Sequence, residues 1–258
     1  CLLGDGVAAS VLFAATLKFR GTLMLHLQGN GSLRLLVAQC THDFQVRAAA
    51  RPEGVMDASA PFRELVGRDG RLAVTIEAEE GSARYQGIVS LEGESLATCL
   101  AGYFATSEQL PTRLALTADG EQAAGVLLQR MPAARGEGEA HAAQSLQAWE
   151  QLGANLAVLP PLLLRSGPTE QVLQHICGGY DCRLFASTPV RFTCRCNPGR
   201  VAGLLLALGQ QEVREVLAEQ GAVTVTCEFC GRPYRFDAID VQGLFAGGAH
   251  PAAPGSVN

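Results

Sequence analysis

Cys194-Arg195-Cys196 and Cys227-Glu228-Phe229-Cys230, with Asn197 to Thr226 between them, decide how the C-terminal part of this chain folds. Thiolates are soft ligands, and each short loop presents two sulfurs to one ion. The four thiols therefore make the donor set of a tetrahedral zinc site. Buried, inert cysteines are the plain alternative. It is weaker, because the CxC and CxxC pairs flank two helical stretches and sit against a hairpin. A site with four cysteine ligands and no position open to water is structural rather than catalytic. Oxidising such a thiolate removes a ligand, and losing the metal removes the folding free energy it supplied, so the same residues also suit a redox switch.

Outward from the cysteines, Asn197-Pro198 supplies a helix cap and a first-turn proline, and Val201, Leu204, Leu205 and Leu208 make one apolar face. Gly209 interrupts, Val213, Val216 and Leu217 continue on a second helix, and Gly221 ends it. Val223 to Thr226 and Tyr234 to Phe236 read as strands joined by the Cys227 to Gly231 knuckle. Upstream, Leu146, Trp149, Leu152 and Leu156 recur at helical spacing before Pro160-Pro161, and Thr169 to Ile176 forms a short helix closed by Gly178-Gly179. Helices this short are marginal alone in water, so residues 140–190 need a neighbour to lean on, with the zinc domain as the expected brace. Cys177 and Cys182 in this segment read as ordinary half-buried cysteines rather than redox thiols.

The N-terminal half opens with a helix over Val7 to Phe19, with Asp5 as its expected cap. Leu23, Leu25 and Leu27 alternate on one strand and Leu33, Leu35 and Val37 on the next, joined at Asn30-Gly31. Further strands are expected at Phe44 to Ala49, Arg71 to Ile76, Tyr85 to Ser90, Leu114 to Thr117 and Ala124 to Gln129, the last two closing a hairpin at Asp119-Gly120. Ser95 to Thr106 is expected as a helix, and Cys40 and Cys99 as core residues. Strands in runs with few helices point to an α+β fold, with antiparallel strands and packed helices in a core domain.

The expected organisation is a core domain over 1–139, a metastable helical linker over 140–190, a zinc-binding domain over 191–246 and a disordered tail over 247–258. Cys1 stands within an element and no initiator Met precedes it, so the sequence reads as a fragment. A net charge of -5 with a single lysine, Lys18, argues against nucleic acid as the main partner. No apolar run is long enough to span a membrane and no secretory signal opens the chain. Nine cysteines are an odd number for a secreted disulfide framework, which favours the cytoplasm. Gly4-Asp5-Gly6-Val7-Ala8-Ala9 loosely mimics a dinucleotide loop but follows no strand. His42-Asp43 reads as a surface turn rather than an acid/base pair, and no GxSxG nucleophile occurs, so no catalytic residue is expected. The Cys227/Cys230 pair as a thioredoxin-like dithiol would need a βαβ context that the knuckle lacks.

The sequence resembles the heat shock protein 33 family, the 33 kDa chaperonins. The likeness rests on Val190-Arg191-Phe192-Thr193-Cys194-Arg195-Cys196 and on Cys227-Glu228-Phe229-Cys230 followed by Tyr234-Arg235-Phe236-Asp237. It extends to Tyr103-Phe104-Ala105-Thr106-Ser107-Glu108-Gln109-Leu110-Pro111-Thr112 and Gly125-Val126-Leu127-Leu128-Gln129, and covers about Leu3 to Phe245. The resemblance implies a cytoplasmic, ATP-independent holdase that is inactive when reduced and loaded with one Zn2+ on Cys194, Cys196, Cys227 and Cys230. It implies that oxidation pairs Cys194 with Cys196 and Cys227 with Cys230, that zinc leaves, and that the C-terminal domain and linker unfold to hold unfolded client proteins. It also implies a homodimer on activation, and in family members an additional N-terminal segment stands before the position of Cys1. The reading from another class is an interaction protein whose zinc is purely structural.

Overall fold

The computed structural model describes residues 2–54, 57, 60–78, 84–132 and 139–246. The fold is mixed α+β around an antiparallel sheet, and the chain divides into two compact units, Cys1–Phe192 and Thr193–Asn258. Residues 133–138, at the end of the expected core domain, and the tail at 247–258 lie outside the described residues.

The first unit begins with α1 (Leu2–Thr16), followed by β1 (Gly21–Gln28), β2 (Leu33–Thr41), β3 (Gln45–Pro52), the short α2 (Phe62–Val66), β4 (Arg71–Ala78) and β5 (Arg84–Val89). Next come α3 (Leu96–Thr106), β6 (Thr112–Ala118), β7 (Ala123–Gln129), α4 (Glu139–Ala157), α5 (Pro161–Ser166), α6 (Thr169–Cys177) and the two-residue β8 (Arg191–Phe192). Six strands form one sheet in the order β5-β4-β1-β2-β3-β8; all its pairs are antiparallel except β3 with β8. β6 and β7 form a separate hairpin, and the turn between them is held by Asp119 Oδ1, which accepts from the Glu121 and Gln122 amides at 2.9 and 2.8 Å.

Alternation puts Leu23, Leu25 and Leu27 of β1 inside with Leu72 and Val74 of β4. On β2 the alternation changes phase. Arg34 is an extra residue between the Leu33–Pro52 and Leu35–Arg51 pairs, so Leu33 is buried but Leu36, Ala38 and Cys40, rather than Leu35 and Val37, continue the inward face. The expected hairpin is present. Its Asn30-Gly31 segment, however, is tied outward: the Asn30 amide donates to Val66 O at 3.0 Å and its side chain donates to Asp69 Oδ2 at 2.9 Å.

α1 lies between this sheet and the β6–β7 hairpin. Phe13 meets Phe104 of α3 edge to face at 4.7 Å, both fully or nearly fully buried. The residues of the dinucleotide-loop mimic serve this packing. A Cβ on Gly4 would lie 2.4 Å from the Ala118 Cβ, and one on Gly6 would lie 3.0 Å from Leu36 Cδ2, so small residues let the helix approach both layers. Asp5 is not the cap of α1. It lies in the helix's first turn with Oδ1 buried and without a hydrogen bond among the described residues, and burial raises its pKa. Ser95 does cap α3, accepting from the Thr98 amide at 3.1 Å.

The helices of the expected linker pack onto the first unit's own hairpin. Leu156, Leu159, Val172 and Ile176 form a small core with Ala115, Val126 and Leu128 of β6 and β7. Arg113 of β6 stacks on Trp149 at 4.8 Å and pairs with Glu150 at 2.7 Å. Leu146, expected in the packed stripe, is instead 48% exposed. Pro160-Pro161 does more than end a helix, because Pro161 is the first residue of α5. Among the described residues no helix is long and apolar enough to cross a membrane.

Candidate metal centre

In the second unit, α7 (Pro198–Leu208), α8 (Gln210–Gln220), the antiparallel pair β9 (Val223–Thr226) and β10 (Pro233–Phe236), and α9 (Ala238–Ala246) surround a core of their own. It consists of Val201, Ala202, Leu205, Val213, Val223, Tyr234, Phe236, Val241 and Leu244. Leu204 and Leu208, expected on the buried face of α7, are 60% and 50% exposed; Ala202 takes the inward place beside Val201 and Leu205. α9 was not expected from periodicity. Asp237 starts it, accepting from the Ile239 and Asp240 amides while Asp240 Oδ2 accepts from the Asp237 amide at 3.0 Å, a reciprocal cap.

The two cysteine loops are shaped locally before they meet. Cys194-Arg195-Cys196 runs without helix or strand into α7, where Asn197 Oδ1 accepts from the Arg200 amide at 2.9 Å and Arg200 Nη1 donates to Arg195 O at 3.0 Å. The helix start thereby holds the CxC loop. Opposite, the Cys227 amide donates to Arg232 O at 2.9 Å and the Gly231 amide to Cys227 O at 2.8 Å, closing a tight knuckle. Gly231 has φ 71°, a left-handed conformation that costs glycine little.

Together these loops bring the sulfurs of Cys194, Cys196, Cys227 and Cys230 within 4.8 Å of one another. Cys194 and Cys227 lie 3.6 Å apart, and Cys196 and Cys230 3.4 Å. Zinc–thiolate bonds of about 2.3 Å in a tetrahedron require sulfurs roughly 3.8 Å apart, so the donor set and its spacing fit zinc. Tyr234 Oη donates to Cys196 Sγ at 3.0 Å. That bond, with those to the neighbouring thiols, draws the Cys196 pKa down to about 7. For Cys230 the Arg232 amide pulls the pKa down, but the bond to Cys196 and burial outweigh it and push it up to about 12.

Sequence reasoning missed Tyr234 as a contributor to the site. Its signal was the alternation of Tyr234 and Phe236 on a strand that leaves the CxxC knuckle. Cys40 and Cys99 are buried as expected, and burial pushes the Cys40 thiol up to about 11. His42 and Asp43 belong to a hydrogen-bonded turn: His42 Nδ1 accepts from the Gly21 amide at 3.2 Å, and Asp43 accepts from Thr41 Oγ1 and from Gln45 Nε2. Cys177 and Cys182 are not ordinary half-buried thiols; the structure joins them in a disulfide.

The Hsp33 protein family model matches residues 1–237. The chain belongs to the Hsp33 family. Within that family it is 42% identical over 243 residues to the 33 kDa chaperonin of Nitrosococcus oceani, covering 94% of this chain and 80% of that protein. It is 43% identical over 254 residues to the 33 kDa chaperonin of Azotobacter vinelandii, covering 97% and 84%. The Hsp33 fold is shared with the crystal structure of the 33 kDa chaperonin (heat shock protein 33 homologue) of Thermotoga maritima, with a TM-score of 0.77, 23% identity, and coverage of 95% of this chain and 84% of that one.

Proposed function

We propose that this chain is a redox-regulated, ATP-independent holdase of the cytoplasm. In this reading Cys194, Cys196, Cys227 and Cys230 hold one Zn2+ in the reduced, inactive form. Residues 1–139 act as the chaperone core, 140–190 as a conditionally stable linker and 191–246 as the switch. The observation that carries the proposal is the convergence of four sulfurs within 4.8 Å in a small unit with a small core. Its support from relatives is that they are named 33 kDa chaperonins rather than enzymes.

When bound, zinc supplies four metal–thiolate bonds that hold the CxC loop against the knuckle. A unit of this size has too little apolar surface for easy independent stability, and apparent zinc binding of about 10 kcal/mol or more becomes folding free energy. A hydroperoxide converts one thiolate to a sulfenic acid; a neighbouring thiolate then displaces hydroxide and forms a disulfide. Following the family resemblance, the pairs are Cys194 with Cys196 and Cys227 with Cys230. Each disulfide withdraws two donors, the second unit loses its cross-link, and newly exposed apolar surface binds unfolded clients, with oxidised chains pairing as homodimers.

The experiment compares suppression of a client's thermal aggregation by reduced protein and by protein oxidised with hydroperoxide at elevated temperature. Suppression after oxidation only is the expected result. Equal suppression in both states would leave an interaction protein with a purely structural zinc.

A further inference from the structure

We propose that Cys177 and Cys182 form a second thiol–disulfide couple, outside the four-cysteine cluster, that clips the C-terminal end of α6. The Cα atoms lie 6.8 Å apart, and only Gly178-Gly179-Tyr180-Asp181 separates the two cysteines. The return is built locally. The Gly178 amide closes α6 on Gln174 O at 3.0 Å, Gly178 takes φ 60°, and the Tyr180 amide donates to Cys177 O at 3.0 Å. So short a closed loop brings the second sulfur back to the first at little entropic cost.

The clip sits at a boundary. On one side α6 buries Val172 and Ile176, and Asn155 Nδ2 of α4 donates to Ile176 O at 2.9 Å. On the other side every residue from Gly178 to Phe192 is exposed, including Leu184 at 52% and Phe185 at 71%. Cys182 is exposed and Cys177 half-buried, so small oxidants and dithiol reductants reach the bond, and exposed disulfides are the labile ones. Cys40 and Cys99, buried with their thiols pushed up by burial, lack that access.

The chemistry balances with a hydroperoxide as oxidant. One thiolate attacks a peroxide oxygen, the O–O bond breaks, and a sulfenic acid and an alkoxide result, or hydroxide when the oxidant is hydrogen peroxide; that anion takes a proton from solvent. The second thiolate attacks that sulfur, the S–S bond forms, and the S–O bond breaks to release hydroxide, which takes a proton to become water. Two electrons pass from the two sulfurs to the peroxide. A dithiol reductant reverses the bond. Joined to the proposed latch, on which this consequence rests, the clip keeps the last turn of α6 closed while the second unit opens.

The test uses the full chain, wild type against Cys182→Ser, which changes an exposed position, and against Cys177→Ser/Cys182→Ser. Peptide mapping after graded hydrogen peroxide should find a Cys177–Cys182 cross-link that a dithiol reductant removes. At matched oxidation, amide exchange over 169–177 should be about tenfold slower in wild type than in either variant, because the bond opposes local opening. Zinc release, followed in parallel with a chromogenic chelator, should be the same in all three proteins. It reports separately on the latch. A pair that stays free under peroxide, a bond that resists the reductant, or equal exchange in wild type and both variants overturns the proposal.

Discussion

Tyr234 reaches from β10 across to the CxC loop and donates its hydroxyl to Cys196 Sγ at 3.0 Å. The same side chain is buried in the core of the second unit, so it couples that core to one of the four sulfurs. Partners outside the ligand shell orient ligands and tune their donor strength. Tyr234→Phe keeps the ring and removes the donor. The expected result is a folded second unit whose zinc affinity falls about tenfold, measured by competition with a chromogenic chelator. Unchanged affinity would make the hydroxyl incidental.

Cys194→Ser removes one of four converging donors while leaving both cores intact. The variant should lose stoichiometric zinc and the amide protection of residues 198–246. Amides of β1, β2 and β4 should remain protected, because that sheet has its own core. Protection lost equally from both units would contradict their independence.

Asp119 carries a pH dependence. Hydrogen bonds from the Glu121 and Gln122 amides, together with Arg165 of α5 at 3.1 Å, hold its carboxyl below the ordinary value of 3.8. A depressed carboxylate stabilises fully above its unfolded pKa, and the contribution disappears as pH falls through the folded value. Protection factors in the 119–122 turn and in α5, taken relative to intrinsic exchange at each pH, should therefore fall as the pH is lowered from about 5 to about 2. Asp119→Asn keeps a turn acceptor but lacks the ion pair, and should show a smaller change.

Phe13 is fully buried against Phe104 at the junction of α1 and α3. Phe13→Ala should cost about 3 to 5 kcal/mol of first-unit stability in denaturant unfolding, through lost transfer free energy and the cavity left behind. The zinc content of the second unit should not change.

Local chemistry explains which parts were legible in sequence. Ser95 and Asn197 cap their helices through bonds to amides three residues on, and Asp119 closes its turn within the same few residues. The cysteine pairs were legible because metal chemistry restricts both spacing and residue type. What sequence missed depends on tertiary context. The extra residue Arg34 reverses the inward face of β2, and nothing in Leu33-Arg34-Leu35-Leu36 announces it. Leu204 and Leu208 sit at helical spacing yet lie on the outer side of α7, because Val201, Ala202 and Leu205 face the core. Tyr234 meets Cys196 only once the hairpin and the CxC loop are brought together. α9 is a different case, since the Asp237 and Asp240 cap was readable three residues apart. The Cys177–Cys182 bond needed knowledge that Gly178 turns left-handed.

The most direct test of the latch is the number of zinc ions per chain before and after hydroperoxide treatment at a temperature that favours unfolding, measured by elemental analysis of desalted protein. The account predicts about one zinc per reduced chain on four thiolates, and loss of nearly all of it as those thiols are consumed. Reduced protein that holds no zinc, or oxidised protein that suppresses aggregation with its zinc still bound, would contradict it.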